Sequence, residues 1–128
     1  MKEKDISQET VKEAVENYIK AVNAKDPRRI SIACHFPHFR VMGDNVVYNW
    51  ETADDLWAWF EGRVSGDGWG YSELDSVSLE KLTDQKYHAS VHFGRYRTDG
   101  TLIGKYISLY IVILKEGRWG IIAGSGNG

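Results

Sequence analysis

The 128-residue chain has the length of one domain, 1–128, without room for two independent cores. About two thirds of the unfolded surface can be buried at this size, so folding needs neither disulfides nor a metal. Hydrophobic residues at 42% and aromatics at 12% exclude a disordered chain, and sixteen basic against eighteen acidic side chains, with no like-charged block, exclude a broad nucleic-acid-binding face.

The first predicted element is a helix over 8–24. Ser7 suits its N-cap, and Ile6 can staple onto Val11. Val11, Ala14, Val15, Tyr18, Ala21 and Val22 recur every three or four residues and form one apolar stripe. Asp26-Pro27 restarts the chain as the cap and first residue of a short second helix. His35-Phe36-Pro37-His38 is expected to end that helix, because the residue before proline avoids the helical region. Two short strands, 39–42 and 46–50, flank the turn Gly43-Asp44-Asn45. Thr52-Ala53-Asp54-Asp55 then starts a third helix, dense in aromatics and closing near Gly62. Ser65-Gly66-Asp67-Gly68 reads as the most flexible internal segment.

Four long strands follow at 71–81, 86–97, 102–115 and 118–125, joined by breaks short enough for antiparallel hairpins. Period-two alternation is clear in Ala89, Val91 and Phe93 against Ser90, His92 and Gly94. The strand through Leu109 and Leu114 is apolar on both faces, so it is expected to be central. Helices followed by antiparallel strands define an α+β domain, in which a curled sheet around helices leaves a conical cavity. The tail Gly124-Ser125-Gly126-Asn127-Gly128 reads as frayed, or as a cover for the cavity mouth.

Cys34 is the sole cysteine, which excludes an internal disulfide and a multi-cysteine zinc site. Its expected role is that of a small buried hydrophobe. His35 and His38 suggest no third or fourth ligand. His88 and His92 stand about 13 Å apart at strand rise, too far to share an ion, so no metal and no cofactor is expected. The N-terminus lacks an apolar signal region, and the apolar run 106–114 is too short to span a bilayer as a helix. A cytoplasmic protein that does not engage membranes is the expectation.

The pattern Tyr18-x-x-Ala21-Val22-Asn23-Ala24-x-Asp26 resembles the opening of the nuclear transport factor 2-like superfamily. His35-Phe36-Pro37-His38-Phe39-Arg40-Val41, Gly104-Lys105-Tyr106-Ile107-Ser108-Leu109 and Gly117-Arg118-Trp119-Gly120-Ile121 resemble its polyketide-cyclase (SnoaL)-like branch. The resemblance implies a cystatin-like α+β cone, a curved mixed or antiparallel sheet wrapped around three helices, commonly a homodimer packed through the sheet. The superfamily holds enzymes and non-catalytic binding proteins alike, so fold alone does not assign function.

Tyr18 resembles the tyrosine with which ketosteroid isomerases donate a hydrogen bond to a dienolate oxygen; a core tyrosine with its hydroxyl tied elsewhere is the alternative. The position of the isomerase base falls near Met42, and a thioether abstracts no proton. His35 and His38 are the candidate proton carriers. Arg40, Trp57, Phe60, Tyr106 and Tyr110 are the candidate pocket residues, whereas Arg95 and Arg97 are read as a solvated or dimer-interface face. Three functions are consistent with this reading. The first is binding of a small apolar molecule in the cone. The second is an isomerase, cyclase or dehydratase using general acid/base chemistry on an apolar or polyketide-like substrate. The third is a non-catalytic dimerisation module.

Overall fold

The apolar stripe of the first helix determines how the rest of the chain packs. In the computed structural model, which describes residues 6–128, α1 (Ile6–Asn23) buries Val11, Val15 and Ala21 completely. Ser7 lies inside this helix rather than at its cap, and its hydroxyl sits 2.8 Å from that of Tyr87. The staple expected of Ile6 lies outside the described side chains. α2 (Pro27–Ala33) begins as expected, with Asp26 Oδ1 accepting from the Arg28 amide at 3.0 Å and Pro27 in the first turn.

The first difference from the sequence reading comes next. α2 stops at Ala33, and His35-Phe36-Pro37-His38 belongs to β1 (Cys34–Val41) rather than to a helix end. The Phe36–Pro37 peptide is cis. β1 pairs antiparallel with β2 (Val47–Trp50) and parallel with β6 (Arg118–Gly126), with a shift of register between Cys34 and Phe39. His38, Arg40 and Met42 thereby point inward, while Phe39 and Val41 point outward.

α3 (Ala53–Val64) is capped by Thr52, whose Oγ1 accepts from the Asp55 amide at 3.2 Å. The Ser65-Gly66-Asp67 stretch continues it as a single 3₁₀ turn, ended by Gly68 at φ 73°. β3 (Trp69–Thr83), β4 (Lys86–Arg97), β5 (Leu102–Lys115) and β6 then run as a meander. Glu116 and Gly117 both have positive φ, as a two-residue hairpin with the twist of its strands requires. The sheet order is β2-β1-β6-β5-β4-β3, so β5 is interior as predicted, and β1–β6 is the parallel pair that makes the sheet mixed.

Register shifts at Trp69/Tyr71, Leu74/Ser76 and Lys81/Thr83 bend β3 and increase the local twist. The sheet curls around the helices, and its concave face meets α1 and α3 in one core that includes Leu56, Phe60, Tyr87, Val91, Val112 and Ile121. Among the described residues no helix is long and apolar enough to cross a membrane.

Candidate functional site

Inward-facing rows of the strands converge on the concave side. On β4 the buried row runs Tyr87, Ala89, Val91, Phe93 and continues to Arg95; on β5 it runs Ser108, Tyr110, Val112. Together with Tyr18 of α1, Arg40 of β1 and Phe60 of α3, they enclose a cavity of about 30 Å³, room for an ordered water or a small ligand group. Met42, Trp50, Trp59 and Ser72 complete much of the wall. Among the described residues no lining side chain is Asp, Glu or His. A larger surface concavity of about 630 Å³, between α1, α2 and the β5–β6 turn, is open to solvent and holds none of these convergent buried groups.

Two arginines dominate the chemistry. Arg40 is 6% exposed and Arg95 5%. The Arg40 guanidinium lies over the Tyr110 ring at 4.8 Å and the Tyr18 ring at 5.2 Å. Arg95 lies 4.6 Å from the Tyr106 ring and within 6 Å of Phe60 and Phe93. Arg40 Nε donates to His38 Nε2 at 2.8 Å, whereas Arg40 Nη2 and Arg95 Nε are buried with no hydrogen-bond partner. Buried orphan donors are rare in native proteins, because each forfeits its hydration without recompense.

Tyr18 stands edge-on to Tyr110, with ring centroids 5.9 Å apart. Burial pushes its hydroxyl up to a pKa of about 12 against the opposing pull of Arg40, so at neutral pH it is a protonated donor. Gly124 on β6 makes room for this arrangement: a Cβ there would meet Tyr110 Cδ1 at 2.9 Å and Arg40 Cδ at 3.0 Å.

The predicted site residues separate into two groups. Tyr18, Arg40, Phe60 and Tyr110 line the cavity. Tyr106 stacks on Arg95, and Trp57 packs on Phe60 with centroids 5.8 Å apart; neither reaches the cavity wall. His35 and His38 lie outside it, with both ring nitrogens of each engaged. His38 accepts from Arg40 on Nε2, which leaves Nδ1 to donate to the His35 carbonyl at 3.3 Å. Burial, then Arg40, pushes its pKa down to about 2. His35 Nε2 donates to the Arg118 carbonyl at 2.9 Å, its Nδ1 faces Arg118 Nη2 at 3.2 Å, and burial lowers its pKa. Rings so engaged are poor proton carriers.

Arg95 corrects the sequence reading. It continues the inward row of β4, while Arg97, beyond the irregularity at Arg95/Tyr96, is exposed and reaches Thr101 and the Leu102 carbonyl. The alternation Val91, Phe93, Arg95 was the signal that identifies it. The tail is likewise ordered: Asn127 Oδ1 accepts from the Ile107 amide at 2.9 Å, and the buried Gly128 accepts from Arg63 Nη2 at 2.9 Å. Arg63 also approaches Asp44 at 3.6 Å, so the tail, α3 and the β1–β2 loop meet at one rim of the cone.

The opening motif proves largely architectural. Asn23 brackets Ser72, donating to its carbonyl at 2.8 Å and accepting from its amide at 2.7 Å, which ties the end of α1 to β3. Trp69 Nε1 donates to the Ser72 hydroxyl at 3.0 Å and so holds that part of the wall. Cys34 is fully buried, and burial pushes its thiol up to about 12, which leaves it inert. Among the described residues no group of three or more His, Cys, Asp or Glu is placed to hold a metal ion.

Comparison with known proteins agrees with this architecture. A family model described as NTF2-like protein (DUF6841) matches residues 7–127. Similar solved structures include a protein of unknown function with a cystatin-like fold from Nostoc punctiforme PCC 73102 (TM-score 0.78, 8% identity, covering 99% of this chain and 94% of that one). Another is an NTF2-like protein of unknown function from Pseudomonas putida KT2440 (TM-score 0.76, 13% identity, 97% and 87% covered). A third is an NTF-2-like protein of unknown function from Shewanella oneidensis MR-1 (TM-score 0.75, 10% identity, 95% and 99% covered). At such identities the likeness establishes the fold alone. No curated protein sequence matches the chain significantly.

Proposed function

The chain belongs to the NTF2-like family DUF6841, and from that premise we propose that it is a small-molecule-binding protein whose ligand sits inside the cone. The observation that carries this reading is the pair of buried, unpartnered donors, Arg40 Nη2 and Arg95 Nε, on the wall of one cavity. A ligand acceptor is the group that would satisfy them. The aromatic lining favours a ligand with an apolar part, and a guest larger than the cavity requires side chains of the wall to move.

Binding accounts for the site better than proton transfer does. Tyr18 supplies a hydrogen-bond donor of the kind an enolising enzyme uses, but among the described residues the wall holds no Asp, Glu or His to serve as a base. Likeness to the polyketide-cyclase branch, carried by the Gly104–Leu109 and Gly117–Ile121 motifs, therefore bears on the shape of the pocket rather than on its chemistry. Protein purified directly from cells is expected to show a non-covalent adduct in native mass spectrometry that disappears on denaturation. It should also show electron density beside Tyr18 and Arg95 in a crystal. An adduct-free protein with a cavity filled only by side chains or water would sink the reading.

We also propose a homodimer through the outer face of the sheet, where Phe39, Val41, Ile107 and Leu109 are each more than a third exposed and Ala123 and Ser125 lie in the shallow depression between β1 and β5. Sedimentation across a concentration series is expected to give a dimer. A monomer at the highest concentration would refute it.

A further inference from the structure

A guanidinium keeps its proton even when buried, and an unpaired buried charge is among the costliest groups a fold can carry. The ion pairs of the described residues join Arg63 to Asp44, Lys81 to Asp84 and Lys105 to Asp75; none involves Arg40 or Arg95. The titratable groups around Arg40 are Tyr18, Cys34 and His38, which the shifts caused chiefly by burial keep neutral at pH 7, and the Tyr110 phenol; none is a carboxylate. Those around Arg95 are Tyr106, Tyr110 and Tyr18, together with Arg63, whose like charge adds to the deficit. Among the described side chains the interior thus holds two positive charges and no negative one, and the Gly128 main chain is what the tail places against the Arg95 guanidinium.

The same geometry restricts the direction of approach. Aromatic rings lie against both guanidinium groups: Tyr18 and Tyr110 at Arg40, Tyr106, Phe60 and Phe93 at Arg95. The free nitrogens, Arg40 Nη2 and Arg95 Nε, are on their edges. An acceptor lying in the guanidinium plane is what remains, and a carboxylate, planar with two oxygens, matches that edge. The narrow cavity suits a compact head better than a tetrahedral dianion.

We propose that the interior ligand is a compact carboxylate, its oxygens bound by Arg95 Nε and Arg40 Nη2; this rests on the interior-ligand reading above. The test is thermal unfolding and calorimetry of the whole chain at constant ionic strength. The probes are formate, acetate and propionate, with acetamide, propionamide, chloride and phosphate as comparison compounds. Carboxylates are expected to raise Tm by about 5 °C or more at saturation, and the comparison compounds to leave it unchanged. Arg95→Met should lose the response and, without ligand, melt above the ligand-free parent, because an uncompensated buried charge has been replaced by an apolar side chain of similar size. Arg95→Lys keeps the charge but not the planar fork, and should bind about tenfold more weakly.

Equal stabilisation by the amides would overturn the carboxylate while leaving an interior ligand in place. An equal response to phosphate or chloride would assign an inorganic anion and overturn it as well. Absence of any response to the carboxylates overturns the proposal whatever the variants do. If Arg95→Met is then also destabilised, the charge is answered within the chain, and the interior-ligand reading falls with it.

Discussion

Replacing Tyr110 by alanine is expected to cost about 3–5 kcal/mol of folding stability, the range for deleting a buried aromatic side chain. Tyr110 is 3% exposed and sits at the centre of the sheet, opposite Ala89 on β4 and Gly124 on β6. Its ring supports the Arg40 guanidinium on one side and the edge of Tyr18 on the other. Gly124 beside it leaves room for this ring, since a Cβ there would meet Tyr110 Cδ1 at 2.9 Å. A domain of this size holds about 5–15 kcal/mol in total, and the variant would lose a large fraction of that. Urea unfolding with an unchanged m-value is the measurement. Tyr110→Phe keeps the ring and should stay within about 1 kcal/mol of the parent. A loss below about 1 kcal/mol for Tyr110→Ala would show that the ring is not the support described here.

The second large effect is a loss of stability in mild acid. Burial and the adjacent Arg40 hold the His38 pKa at about 2 in the fold, against an ordinary value of 6.5 in the unfolded chain. The unfolded state therefore binds more protons throughout the interval between these values, so stability rises with pH there and is lost as pH falls below 6.5. One such group contributes a slope of about 1.4 kcal/mol per pH unit once the unfolded chain is protonated. His35, also lowered by burial, adds in the same direction. The carboxylates Asp44 and Asp99, lowered by local hydrogen bonds, act at more acid pH. Unfolding measured between pH 6 and pH 4.5 thus isolates the histidines. His38→Gln, with an amide oxygen available to accept from Arg40 Nε, should flatten most of the slope. A parent protein equally stable at pH 6 and pH 4.5 would show that His38 accepts a proton in the fold without penalty.

The acid response and the candidate ligand site are linked through Arg40, which adds to the effect of His38's own burial. With that burial, its guanidinium disfavours a proton on His38 at one edge, and it leaves a donor free on another. An anion in the cavity is therefore expected to act on both. A bound negative charge would partly offset Arg40, and the mid-acid loss of stability would be shallower with ligand than without it.

Local pattern was sufficient for the elements and the fold class. The stripe from Val11 to Val22, the capping residues Asp26 and Thr52 and the alternation along β4 are short-range signals, read by backbone geometry within a few residues. The three hairpins of the meander were legible for the same reason. The α2–β1 junction was not. Its outcome depends on a parallel pairing with β6, more than eighty residues away, and on Arg118 donating to the carbonyls of Ile32 and Cys34. Nothing within His35-Phe36-Pro37-His38 carries that information.

Four of the predicted site residues, Tyr18, Arg40, Phe60 and Tyr110, proved to share a cavity because each lies on an inward row that periodicity can assign. Which inward residues meet across the cone is a matter of register, sheet curl and helix docking, and those are products of the whole core. Arg95 shows the limit most clearly. An arginine near a strand end reads as solvated in sequence, since charge is normally hydrated, and only the curled sheet with α3 packed on it buries the side chain. The sequence determined that this chain folds as an α+β cone, because its instructions are local and repeated. The tertiary structure alone decided that, among the described residues, two positive charges face its interior without a negative side chain, because charge compensation is a property of the space enclosed.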